Sequence, residues 1–110
     1  MAVKECAERI EALLPVTVTK TDNLPEEIGF FLVYEGFSRT NGVFERRFGL
    51  YINGVSFNGI LGYAEEADNI ETALAEASEG LADIELTGGE LVDFREDGTF
   101  TFRIQVMVRE

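Results

Sequence analysis

The chain contains no histidine and no tryptophan, one cysteine, two prolines and only nine basic residues. Each shortage removes a class of function. Without histidine, the commonest general base and the commonest metal ligand are missing, and a triad built on Cys6 or on a serine lacks its usual partner. A single cysteine permits no intramolecular disulfide and no zinc cluster. Cys6 lies on the helical stripe Val3, Cys6, Ala7, Ile10, Leu13 and Leu14, where it reads as a small apolar residue rather than a reactive thiol. No P-loop or dinucleotide fingerprint is present, because Gly88-Gly89 follows Thr87 and leads into acids. No apolar run approaches the length of a membrane span, and MAVKECAERIEALLP lacks the apolar block of a signal peptide. The expectation is a soluble cytoplasmic protein that is not an enzyme, with no catalytic residues, cofactor or metal.

What is present is acid. Twenty-one Asp and Glu against nine Lys and Arg give a net charge of −12 in 110 residues, which argues against direct nucleic-acid binding through phosphates. The charge is unevenly placed. Between Arg47 and Arg95 there is no Lys or Arg, while that interval holds Glu65, Glu66, Asp68, Glu71, Glu76, Glu79, Asp83, Glu85, Glu90 and Asp93. The arginines gather at Arg39, Arg46, Arg47, Arg95, Arg103 and Arg109. This is either a solvated acidic helix that keeps the protein soluble or a surface built for charge-complementary contact.

The length indicates one domain spanning 1–110, large enough to fold without a disulfide or metal. Helical spacing over residues 2–14, ended by Pro15, predicts the first helix. Val16 to Lys20 reads as a short strand and residues 21–27 as a loop. GFFLVYEG (29–36), apolar on both faces, reads as a central strand, FSRTNG (37–42) as a turn, and VFERRFGLYING (43–54) as its hairpin partner. In that partner Phe44, Arg46, Phe48, Leu50 and Ile52 share a face. Residues 55–63 read as a glycine-interrupted loop, and 65–84 as a second helix buried through Ala67, Ile70, Ala73, Leu74, Ala77 and Leu81, with Gly80 near its C-terminal end. Leu91–Arg95 and Thr99–Arg109 read as strands joined at Gly98, where a positive φ is expected. The last strand alternates strictly: Phe100, Phe102, Ile104, Val106 and Val108 on one face, Arg103, Gln105, Met107 and Arg109 on the other. The order α-β-β-β-α-β-β predicts an α+β domain, an antiparallel or mixed sheet of four to five strands with two helices on one face.

Carboxylate pairs at Glu65/Glu66/Asp68 and Glu96/Asp97 are the remaining candidates for chemistry. The first set falls at a helix start, where acids favour the dipole, and the second builds a turn. Aromatic strands can stack bases, but Phe100 and Phe102 lie opposite Arg103, as a core requires.

Taken in order, AERIEALLP, GFFLVYEG, FERRFGLYI, IETALAEASEGL and LTGGELVDFREDGTFTFRIQVMVRE resemble the small tail-terminator-like proteins of tailed bacteriophages and prophages, nearest to the Mu-like tail-protein group. The resemblance covers nearly the whole chain and implies the phage-tail-protein-like fold. It also implies a structural role, in which a homo-oligomeric ring, often a hexamer, caps the tail tube and presents a surface to the head connector. Its place would be the virion tail, and the host cytoplasm during assembly. The candidate interface residues are Arg46, Arg47, Arg103, Gln105 and Arg109 on the sheet, facing Glu71, Glu76 and Glu79 of a neighbouring copy, with Arg39 and Asn41 at a hairpin tip as secondary candidates. The alternative reading is a small acidic inhibitor or DNA mimic that binds a basic host enzyme.

Overall fold

A computed structural model describes residues 3–14, 16–56, 60–81 and 83–109. The order is α1 (Val3–Leu13), β1 (Thr19–Thr21), β2 (Gly29–Thr40), β3 (Val43–Val55), α2 (Ile60–Ser78), β4 (Ile84–Phe94) and β5 (Thr99–Arg109). The strands form one sheet in the order β1-β2-β3-β5-β4, with β1 parallel to β2 and every other neighbour antiparallel. The expected α+β fold, with two helices over a five-stranded mixed sheet, is the one observed.

Alternation decides the layers. Leu32, Phe48, Leu50, Ile52, Phe100, Ile104, Val106 and Val108 project from one face of the sheet, where Cys6, Ala7 and Ile10 of α1 and Ile70 and Leu74 of α2 close over them. Cys6 is fully buried among these groups, as its position on the apolar stripe suggests. Arg9 of α1 forms an ion pair with Asp83, which ties the first helix to the approach to β4.

Several boundaries differ from the sequence reading. Phe37–Thr40 continue β2 rather than forming a turn, and Asn41-Gly42 alone makes the connection. Both residues have positive φ, 52° and 81°, which is the type I′ geometry that matches strand twist. α2 begins at Ile60, inside the segment read as loop. A helical Gly62 costs only about 1 kcal/mol relative to alanine, and packing of the helix face offsets that. α2 also ends sooner, at Ser78, with Gly80 in the left-handed region (φ 86°) as the expected terminator. Leu81 is therefore not on the helix, and both it and Ala77 are exposed rather than buried. β4 starts at Ile84 rather than Leu91, because Gly88-Gly89 lies within the strand beside a break in register between Leu86 and Gly88. Residue 2, Pro15, residues 57–59, residue 82 and the side chains of residues 60–63 and of Glu66 lie outside the described residues, so the readings placed on them have no structural counterpart.

Ile104 is 0 % exposed at the centre of β5, between the two helices and β3. Ile104→Ala is expected to lower the unfolding free energy by about 2–5 kcal/mol, through lost burial and the cavity left behind. Urea denaturation followed by circular dichroism measures this as a reduced midpoint with an unchanged slope.

Candidate interaction surface

The face of the sheet away from the helices carries the chain's second pattern. Antiparallel pairing sets β3 and β5 residues side by side there: Asn53 with Thr101, Tyr51 with Arg103, Gly49 with Gln105, Arg47 with Met107 and Glu45 with Arg109. Three polar clusters result, one after another along the strands.

At one end lies a covered cluster. β1 and β2 are parallel neighbours, so the connection between them must run back along the strands before β2 begins. Residues 22–28 make that return, and Asn53 holds it by donating from Nδ2 to the carbonyls of Pro25 (2.9 Å) and Glu27 (3.0 Å). The Thr101 hydroxyl donates to Asn53 Oδ1 at 2.8 Å and accepts from the Arg95 guanidinium at 3.1 Å. Asn53 and Thr101 are buried, and each has hydrogen-bond partners, as buried polar groups require. Phe31 is buried on this same face.

The middle cluster is centred on Arg103. Its guanidinium is bound by Glu35 through two nitrogens, with Nε at 3.1 Å from Oε2, and it lies 3.3 Å from Glu90. The Tyr51 hydroxyl donates to Glu35 at 2.7 Å, and Arg103 stands 5.9 Å from the Tyr51 ring centre. With its oxygen towards Arg103, the Gln105 amide accepts from the guanidinium (3.2 Å) and donates to Thr87 (3.3 Å). Burial raises the Glu35 carboxyl, but hydrogen bonds from Arg103 and Tyr51 together with the arginine's charge outweigh it and hold the group below the ordinary glutamate range. Burial and the Glu35 hydrogen bond raise the Tyr51 phenol. Gly49 is the space in which this cluster fits, since a Cβ there would stand 2.6 Å from the Tyr51 ring and 2.9 Å from the Glu35 carboxylate.

The third cluster joins Arg109 to Glu45 (3.2 Å) and to Glu85. Arg103 and Arg109 thus already have carboxylate partners within their own chain. Arg47 lies on this face too, and Glu35 feels its charge.

Of the sheet residues named from the sequence, Arg47, Arg103, Gln105 and Arg109 share this face. Arg46 does not. It pairs with the buried Val108 on the helix-bearing face, at the edge of the core, with its guanidinium 5.9 Å from the Phe44 ring. There it joins Phe37, whose ring lies 5.7 Å from Phe44, and Arg39, 5.2 Å from the same ring. Glu76 and Glu79 are exposed on the helix layer. Glu71 instead turns inward, and its carboxylate fills the space that a Cβ on Gly89 of β4 would take. Burial, and secondarily Asp68, raises its affinity for a proton.

Glu35, Tyr51, Asn53 and the 22–28 loop were not singled out from the sequence. The one signal for Glu35 is an acid inside an otherwise apolar strand, and its target 68 residues away follows only from strand order.

Two expectations come from these clusters. Arg103→Ala is expected to cost on the order of 3 kcal/mol, because Glu35 is left half-buried without its cation. Since the Glu35 carboxyl is held below its ordinary range, the stability it supplies is complete above the unfolded value of about 4.3 and disappears as pH falls through the folded value. The difference between wild type and Glu35→Gln in urea titrations should therefore be full at pH 7 and close at acid pH. Glu71 has the opposite sign. Its carboxyl titrates above the ordinary range, so ionised Glu71 weakens the fold at neutral pH, and Glu71→Gln should raise the melting temperature at pH 7 but not below the unfolded glutamate range.

No family model matches the chain, and no curated protein matches it.

Proposed function

We propose that this protein is a non-enzymatic structural component of a phage or prophage tail, acting by self-association into a ring that caps the tail tube and meets the head connector. Two observations support the reading. The element order and the single helix layer agree with what the sequence resemblance implies. The observation that carries self-association is the segregation of surface charge. Exposed carboxylates Glu65, Asp68, Glu76 and Glu79 occupy the helix layer, while the exposed Arg39 and Arg47 stand at the β2–β3 hairpin end. Unlike patches on one subunit favour head-to-tail contacts, which close into a ring when the rotation permits. A net charge of −12 also leaves an assembled ring repelled by DNA, which suits a channel through which DNA slides without binding.

Within this reading Arg103 and Arg109 stiffen the subunit through their own carboxylates, and the exposed hairpin arginines Arg39 and Arg47 carry the contact charge. Light scattering after size exclusion tests it. The expected result is a ring-sized mass at low salt that falls at about 1 M salt, where charges are screened within roughly 3 Å, with closed rings in negative-stain images. A monomer at both salt concentrations and at high protein concentration would overturn self-association and favour the acidic-inhibitor alternative.

A further inference from the structure

The two most exposed large hydrophobic side chains among the described residues are Ile28 (59 %) and Phe37 (56 %). They sit towards opposite ends of β2, nine residues apart in sequence and so about 30 Å apart at ~3.3 Å per residue. Their surroundings have opposite charge. Phe37 lies against Phe44, over which Arg39 stacks, with exposed Val43 beside the turn. Ile28 follows the exposed acids Glu26 and Glu27, with exposed Leu24 on the same loop.

Both patches are held in shape. The type I′ turn and the cross-strand pairs Phe37 with Arg46 and Arg39 with Phe44 fix the hairpin end. Asn53 fixes the loop from beneath through two backbone carbonyls, which leaves the side chains of Leu24, Glu26, Glu27 and Ile28 facing outward. Little conformational entropy remains to be lost on docking.

A competing acidic and apolar patch, Val92 with Glu90 and Asp93 on β4, is already neutralised, because Glu90 pairs with Arg103 and Asp93 with Arg95. Among the described residues, no such pair engages Glu26 or Glu27. The α2 face is acidic, but among its described side chains the exposed ones include no large hydrophobic.

We infer that the β2–β3 hairpin end of one copy, through Phe37, Arg39 and Phe44, docks on the 22–28 loop of a second copy, through Leu24, Glu26, Glu27 and Ile28. The inference rests on the self-association proposed above and gives its contact. The interface is heterologous, so each subunit offers one donor end and one acceptor end, and the assembly closes as a ring or grows as a chain.

Two exposed-site variants test it: Arg39→Glu, which spoils the hairpin end, and Glu26→Lys/Glu27→Lys, which spoils the loop. Each alone is expected to raise the concentration needed for association by roughly tenfold or more. Mixed, they are expected to recover association as an alternating 1:1 assembly, because the intact hairpin of one fits the intact loop of the other and at the remaining junction the two reversed charges again oppose each other. Sedimentation velocity reads both results, and a circular dichroism spectrum matching wild type confirms each fold. If wild type associates and both variants associate as well as it does, the contact lies elsewhere and this inference fails while self-association stands. If wild type itself stays monomeric at high concentration, self-association and this inference fail together.

Discussion

The pairing of β3 with β5 is the constraint from which both faces of the sheet follow. It runs from Glu45 opposite Arg109 to Val55 opposite Thr99 without a break. One phase of that ladder supplies Phe48, Leu50, Ile52, Ile104, Val106 and Val108 to the helices. The other supplies Asn53–Thr101, Tyr51–Arg103 and Glu45–Arg109 to the open face. A slip of one residue in either strand would carry Arg103 and Arg109 beneath α1 and α2 and turn the core outward. Burying unpaired guanidinium groups there would cost several kcal/mol each, more than a domain of this size can absorb. The polar face therefore specifies the register as firmly as the apolar one.

β2 completes this design by breaking the pattern. Its register against β3 shifts between Tyr34 and Gly36, leaving Glu35 as the extra residue. A bulge re-aims the side chains that follow it. Before it, Phe30 and Leu32 face the helices. After it, Phe37 and Arg39 do so, opposite Arg46 and Phe44 but beyond the reach of the helix layer. The same irregularity brings the Glu35 carboxylate to Tyr51 and Arg103 over the side-chain-free Gly49. One extra residue thus places an ion pair on the open face and an aromatic, cationic patch at the end of the hairpin.

Much of this architecture is legible in the sequence. The strict alternation of Thr99–Arg109 gave that strand its limits and both its faces, because a half-buried strand in an acidic chain has no other way to divide phenylalanine from arginine. The α1 stripe and Gly80 were equally readable, since each depends only on neighbours within a few residues. The β4 start and the ends of α2 were not, because glycines at positions 62, 88 and 89 are ordinary breakers until packing overrides them. The polar clusters lay further out of reach. Glu35 meets Arg103 only if β5 lies next to β3 and a bulge stands at one particular residue, and neither condition leaves a local mark. The 22–28 loop reads as a simple connection until the parallel pairing of β1 and β2 requires it to turn back across the sheet.

In the proposed assembly, the arrangement of charge separates folding from contact. Arg9, Arg95, Arg103 and Arg109 are engaged by Asp83, Asp93, Glu35 with Glu90, and Glu45 with Glu85. All but the Arg95–Asp93 pair link elements far apart in sequence, and partial burial of the Arg103 pair protects it from screening better than a fully exposed pair. Arg39 has only an aromatic ring against it among the described residues, and Glu26 and Glu27 stand on an exposed loop. Charges that are already paired gain little from a second partner, whereas exposed charges beside exposed Phe37 and Ile28 gain both attraction and burial. Salt should therefore weaken association before it weakens the fold. That order of sensitivity distinguishes a subunit whose charges are divided between these tasks from one whose acidity serves only to keep it dissolved.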